Sequence, residues 1–93
     1  MTVEEKAGQL TLLGTALFGD SAGAAINPQV EASIDGQLAA ARGGQLTGIF
    51  NGGQVEWHQR MQRAALESRL KIPLIFAADI IHGYRTIFPV PLA

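Results

Sequence analysis

The sequence predicts an α/β fold built around a strand–helix–strand unit in its second half. Two short apolar runs, 46–50 and 72–78, flank a segment with helical periodicity, 55–70. Strands joined by a helix in this way pair in parallel, and the crossover is almost always right-handed. Two such strands leave both sheet edges open, so the pattern predicts that further strands complete the sheet. The first half of the chain predicts a helix, a loop and a second helix.

The first predicted helix begins at a capping box. Thr2 is followed three residues later by Glu5, so the hydroxyl and the carboxylate each satisfy a free backbone N–H at the helix start. Apolar residues then recur at spacings of three and four, which predicts a narrow stripe that ends near Gly14. The residues of the stripe are Val3, Ala7, Leu10 and Leu13.

A loop and a second helix are predicted to follow. Residues 15–28 combine small residues, glycines and a proline without a clear period, which is typical of a loop. The alanine-rich run 29–42 favours a helix with one apolar face. The residues of that face are Val30, Ile34, Leu38 and Ala41. Gly43 and Gly44 are expected to end the helix.

The strand–helix–strand unit is the most clearly patterned part of the sequence. Residues 46–50 form an apolar segment before Asn51-Gly52-Gly53, which indicates a buried strand and a tight turn. The helix predicted over 55–70 has an apolar face and a charged face. The apolar face carries Trp57, Met61, Ala64, Ala65 and Leu70, and the polar face carries Glu56, Gln59, Arg60, Arg63 and Glu67. Residues 72–78 are apolar without alternation, which is typical of a parallel strand covered on both faces.

Composition excludes several classes of function. Seven Lys and Arg nearly balance eight Asp and Glu, so neither nucleic acid nor a membrane surface is expected as a partner. Cysteine is absent, which rules out disulfides, thiol nucleophiles and Cys-based metal sites. No apolar run is long enough to span a membrane, and Met1–Lys6 lacks the pattern of a signal peptide. The chain stops inside the apolar run Phe88–Ala93, so we expect it to be a truncated piece.

The densest group of side chains capable of chemistry follows the last predicted strand. Asp79 comes directly after that strand, and ligands in parallel α/β folds bind beyond the carboxyl ends of strands. Asp79 is therefore the first candidate for a binding residue, although its position alone is equally consistent with a helix cap or a turn. His82 is expected to bond to backbone and brace the loop, and Arg85 is expected to anchor a carboxylate or the loop backbone rather than to contact substrate. Tyr84 either stacks on a ligand or packs within the loop.

Other candidate sites have simpler interpretations. The segment Asn51-Gly52-Gly53 could present backbone N–H groups to a phosphate, but it lacks a dinucleotide fingerprint and a P-loop lysine, so a tight turn is favoured. His58 has no histidine or carboxylate at zinc-binding spacing, so no metal site is predicted. Trp57 and Met61 lie one helical turn apart and are expected in the core.

Several segments together resemble the amino-terminal barrel of family 3 glycoside hydrolases, especially enzymes of the bacterial periplasmic β-glucosidase type. Met1–Leu10 resembles the opening helix of that family, and 48–51 resembles its first glycine-containing strand. Residues 67–74 resemble its passage from helix to strand. Asp79–Pro89 is the most specific match, whereas 15–29 has no recognisable counterpart.

The resemblance implies that residues 1–93 are an incomplete N-terminal segment of a TIM-like (β/α)8 barrel, truncated at its C-terminal end. It implies a retaining β-glucosidase that hydrolyses terminal β-D-glucosyl residues of glycosides and oligosaccharides, with Asp79 binding sugar hydroxyls. The nucleophile and the acid/base of the family lie beyond this chain, so the chain alone is expected to be inactive. No catalytic residue, metal or cofactor is expected within it. Kinship with exported enzymes implies a periplasmic or secreted parent, completed by the rest of the barrel and a following domain.

Two alternatives belong to other classes of function. A small non-catalytic α/β module could bind a protein partner through an exposed sheet edge or an apolar patch. A phosphate-binding unit at Asn51-Gly52-Gly53 would bind nucleotides without any response to sugars. A coding sequence that continues in frame past Ala93 favours the enzyme over the module.

Overall fold

The computed structural model describes residues 1–16, 33–51, 54–78, 80 and 89. Within these residues the helices are Val3–Gly8 (α1), Ile34–Arg42 (α2) and Val55–Leu66 (α3), and the strands are Leu12–Gly14 (β1), Gly48–Phe50 (β2) and Ile75–Ala77 (β3). The predicted α/β class is confirmed. In the described part of the chain no helix combines the length and the apolar character that crossing a membrane requires.

The strands form one parallel sheet in the order β1-β2-β3. The middle row of the register joins Leu13, Ile49 and Phe76, and the first row joins Leu12, Gly48 and Ile75. Because β2 and β3 are parallel neighbours joined through α3, the predicted strand–helix–strand unit is confirmed. The parallel pairing also brings the carboxyl ends of all three described strands to the same edge of the sheet.

The start of the chain differs from its prediction. The capping box is confirmed, since the Thr2 N–H donates to Glu5 Oε2 over 2.7 Å and the Glu5 N–H donates to Thr2 Oγ1 over 3.1 Å. However, α1 ends at Gly8, and the stripe predicted on it is wrong because Val3 is 76% exposed and Leu10 is 89% exposed. Leu13 instead belongs to β1. Pairing with β2 places Leu13 in the core.

The second helix begins later than predicted and ends as predicted. Ser33 is its N-cap, with an extended backbone and a side chain that accepts from the Gly36 N–H over 2.9 Å. A continuous helix over 29–42 is therefore wrong, because the backbone at Ser33 is not helical; residues 17–32, including Val30, lie outside the described residues. Gly43 caps the carboxyl end, and Gly44 follows with a φ of 68°.

Helices α2 and α3 cover one face of the sheet and build the core. Ile49 and Met61 are fully buried, and the inward face predicted for α3 is confirmed at four of its five residues, Trp57, Met61, Ala64 and Ala65. Among the described residues the core cluster is Leu13, Leu38, Ala40, Ala41, Leu46, Ile49, Trp57, Met61, Ala64, Ala65 and Leu74. Helix α3 ends at Leu66 rather than at Leu70, because Glu67 forms its C-cap.

The second face of the sheet is largely exposed. Leu12 is 51% exposed and Ile75 is 65% exposed, and these two residues flank Gly48 in the first row of the register. Within the described residues β3 is therefore covered on one face, where its middle residue Phe76 packs against the core, and cover on its second face stays a prediction. Nothing in the described residues buries the other face.

Candidate functional site

The carboxyl edge of the sheet is the candidate site. The parallel pairing continues one residue beyond β1 and β2, since the Thr15 N–H donates to Phe50 O and the Asn51 N–H donates to Ala77 O, both over 3.0 Å. Thr15 is buried and Asn51 is exposed. Side chains that follow parallel strands at this edge are those that bind ligands in α/β folds.

Asn51 turns the chain from β2 towards α3. Its φ is 63°, a left-handed conformation that asparagine adopts more readily than most residues. Gln54, the N-cap of α3, makes no hydrogen bond to the helix through its side chain. A turn at this position agrees with the sequence interpretation, and Gly52 and Gly53 lie outside the described residues. The phosphate-binding alternative stays a prediction.

A buried glutamine holds the backbone at the end of β1. Gln37 lies on α2 and is fully buried. Its Nε2 donates to Gly14 O over 2.6 Å, and its Oε1 accepts from the Ala16 N–H over 3.0 Å. Buried polar groups without partners are costly, so these two bonds hold the segment on either side of Thr15. Gln37 was not among the predicted site residues, although its spacing of three from Ile34 and of four from Ala41 places a polar residue on the apolar face of a helix.

The main residues predicted for the site lie outside the described residues. Asp79, His82, Tyr84 and Arg85 all belong to this group, so their assignment to the site stays a prediction. What the structure does describe is the strand that precedes Asp79. β3 ends at Ala77, two residues before Asp79, at the same edge as β1 and β2.

His58 and Trp57 have packing roles on α3. The His58 ring stacks on Phe76 of β3, with ring centroids 4.2 Å apart and planes inclined by 23°. Trp57 and Met61 are in the core, as predicted. The indole Nε1 of Trp57 is buried and has no hydrogen-bond partner among the described residues. Within that same part of the chain, no cluster of His, Asp and Glu has the composition of a metal site.

The opposite, amino end of the sheet is tied together by an ion pair. Arg69 Nε donates to Glu5 Oε1 over 2.8 Å, and Arg69 Nη2 donates to Glu5 Oε2 over 2.6 Å. The hydrogen bonds from Arg69 and then from the Thr2 backbone lower the pKa of Glu5 from 4.5 to about 2. This pair joins α1 to the segment before β3. Contacts at the amino end of parallel strands serve stability rather than ligand binding.

Comparison with known proteins gives an informative similarity. The chain is 41% identical over 93 aligned residues, 99% of its length, to a protein named Periplasmic beta-glucosidase from Salmonella typhimurium. The chain spans only 10% of the length of that curated relative. No protein-family model matches the chain. Similarity that extends over almost the whole chain supports a glycosidase-related origin.

Proposed function

We propose that residues 1–93 form the amino-terminal part of the catalytic (β/α)8 barrel of a β-glucosidase of glycoside hydrolase family 3. The observation that carries the proposal is the similarity along 99% of the chain to a periplasmic β-glucosidase. The three parallel strands, with helices on one face, support it because consecutive parallel strands joined through helices are the building pattern of such a barrel. A barrel takes about 250 residues, so roughly a third of one is present.

Asp79 is the residue of this chain that we assign to substrate binding. In the sequence it comes two residues after Ala77, the last residue of β3, and barrel enzymes bind their ligands beyond the carboxyl ends of their strands. A carboxylate there accepts hydrogen bonds from two sugar hydroxyls. A sugar with one misplaced hydroxyl leaves a buried acceptor unpaired, which costs about 1–3 kcal/mol and selects the stereochemistry of the substrate.

The chemical step is assigned to residues outside this chain. A retaining glycosidase holds its nucleophile and its acid/base about 5 Å apart on either side of the scissile bond. Both carboxylates would lie in later parts of the parent protein. This chain would then supply substrate binding through Asp79 and a part of the barrel scaffold. The substrates would be terminal β-D-glucosyl residues of glycosides or oligosaccharides, met in the periplasm or outside the cell.

A chimera tests the proposal. The segment of the Salmonella enzyme that matches this chain is replaced by residues 1–93, and hydrolysis of an aryl β-D-glucoside is measured. We expect an active chimera, whereas the chain alone should hydrolyse nothing. A chimera that folds but is inactive contradicts the proposal.

Asp79→Asn in the active chimera tests the binding role. Loss of a charged hydrogen-bond acceptor should reduce kcat/KM by about tenfold or more. Asp35→Asn is the matched control, since Asp35 is an exposed carboxylate in the first turn of α2 and should leave kcat/KM unchanged. Equal activities of the two variants would remove Asp79 from the binding site.

The second candidate is a non-catalytic α/β protein-interaction module. The exposed sheet face carrying Leu12 and Ile75 favours it, because an apolar face of this kind is suited to burial against another protein surface. The chimera separates the two candidates. A module that merely shares ancestry with the glycosidase would not restore hydrolysis when placed in the enzyme.

A further inference from the structure

The bonds made by Gln37 imitate those of a neighbouring strand. The Thr15 N–H donates to Phe50 O, so this backbone group faces β2. In a strand, the N–H and C=O groups of consecutive residues point to opposite sides. The groups of the residues before and after Thr15 therefore point away from β2, to the side of β1 that pairs with no strand in the described sheet. Gly14 O and the Ala16 N–H are two such groups, and both bond to Gln37.

A glutamine carboxamide can replace a peptide group because it carries the same oxygen acceptor and N–H donor. At the carboxyl end of β1, Gln37 therefore supplies hydrogen-bond partners for two backbone groups, Gly14 O and the Ala16 N–H, that face away from β2. They also fix the backbone directly before and after Thr15, which is buried at the candidate site. Gln37 itself is fully buried, and both polar atoms of its side chain are engaged with the backbone.

We propose that Gln37 is a positioning residue for sugar binding, which acts by fixing residues 14–16 at the carboxyl edge of the sheet. The inference rests on the proposed glycosidase function and adds a residue that does not touch the substrate. Without Gln37, the part-buried carbonyl of Gly14 and the buried N–H of Ala16 lose their partners, which favours a shift of the segment around Thr15 that recovers them. A shift of about 1 Å at a binding site can reduce activity by up to about 100-fold.

We call the two hydrogen bonds from Gln37 to Gly14 O and the Ala16 N–H the Gln37 clamp, and the chain contains a matched control for it. Gln62 on α3 also brackets the backbone, since its Nε2 donates to Leu74 O over 3.2 Å and its Oε1 accepts from the Leu74 N–H over 2.6 Å. Leu74 precedes β3, so this bracket lies at the amino end of the sheet. Replacing either glutamine by leucine removes two side-chain bonds to the backbone, but only Gln37 adjoins the proposed site.

The experiment compares Gln37→Leu and Gln62→Leu in the active chimera. The melting temperature, kcat and KM for an aryl β-D-glucoside are measured for each variant. Both variants should lower the melting temperature. Gln37→Leu should raise KM by about 10- to 100-fold, whereas Gln62→Leu should leave KM within about twofold of the parent.

A third variant covers the case in which Gln37→Leu does not fold. In Gln37→Glu the buried carboxyl keeps an acceptor for the Ala16 N–H, and once protonated it also carries a donor for Gly14 O. Its KM, relative to that of the parent chimera, should fall towards the parental value as the pH is lowered. A purely structural role would give no such recovery.

The outcomes separate this inference from the function on which it rests. If Gln37→Leu and Gln62→Leu change KM alike, or if the relative KM of Gln37→Glu does not respond to pH, Gln37 is a structural residue only. The proposed function then stands, because the parent chimera is active. An inactive parent chimera overturns the proposed function, and the inference with it.

Discussion

Gly48 offers the most direct test of the packing of the sheet. It lies at the start of β2 between Leu12 and Ile75, and a Cβ at this position would collide with the carbonyl oxygen of Ile75. That Cβ would also lie 3.1 Å from the carbonyl carbon of Ile75 and 3.1 Å from Leu12 Cδ1. The closest obstacle is backbone, which a change of rotamer cannot move. Gly48→Ala must therefore push β3 away from β2.

Overpacking of this kind costs about 1–3 kcal/mol of the free energy of unfolding. With a urea dependence of about 1–3 kcal/mol per molar, the unfolding midpoint should fall by roughly 1 M. The assay is urea unfolding of the chain followed by the fluorescence of Trp57, its single tryptophan, which is buried in the folded state.

Gly43→Ala is the control for this measurement. Gly43 has a right-handed φ of −80°, and the atoms nearest to its added Cβ lie 3.4 Å or more away, which is ordinary contact. The urea midpoint of Gly43→Ala should stay unchanged or rise, since alanine reduces the conformational entropy of the unfolded chain and can add about 0.4–1 kcal/mol to the free energy of unfolding. If Gly48→Ala and Gly43→Ala unfold at the same urea concentration, the close approach of β2 and β3 is refuted.

Two further predictions concern the core and the ion pair. Met61→Ala should destabilise the chain by about 2–5 kcal/mol in the same urea assay, because Met61 is fully buried; a loss below that of Gly48→Ala would contradict the described core. The pKa of Glu5 is lowered from 4.5 to about 2, so its stabilising contribution is present above pH 4.5 and is lost as the pH falls towards 2. Arg69→Met should reduce that pH dependence, whereas Arg42→Met, which breaks the exposed ion pair with Glu67, should not. Equal acid-unfolding curves for the two variants would show that the Glu5–Arg69 pair is not the source of the pH dependence.

The second half of the fold could be predicted because its signals are local. The apolar spacing of Trp57 and Met61 defined the inward face of α3, and the apolar runs on either side defined β2 and β3. Strand β1 was missed because it is only three residues long and its Leu13 also fits a helical spacing from Leu10. Pairing with β2, which no local pattern reveals, decides the conformation there.

The location of the candidate site could be predicted from the sequence, but the contacts that support it could not. Its position follows from parallel strands whose carboxyl ends share one edge, which the order of apolar runs already implied. Gln37 and Ala16 are 21 residues apart, and Arg69 and Glu5 are 64 residues apart. Neither contact can therefore be predicted from the local spacing of apolar and polar residues. Gln37 alone gave a usable signal, as a polar residue among the apolar positions of α2.

The two ends of the sheet are held by different residues, and this difference bears on function. At the amino end, the Glu5–Arg69 pair and the Gln62 bracket join α1, α3 and the segment before β3. At the carboxyl end, the side chain of Gln37 makes two hydrogen bonds to the backbone at the end of β1. Substitutions at the amino end should therefore alter stability without altering substrate binding. A substitution at Gln37 should alter both, since the same two bonds stabilise the edge strand and set the geometry of the proposed site.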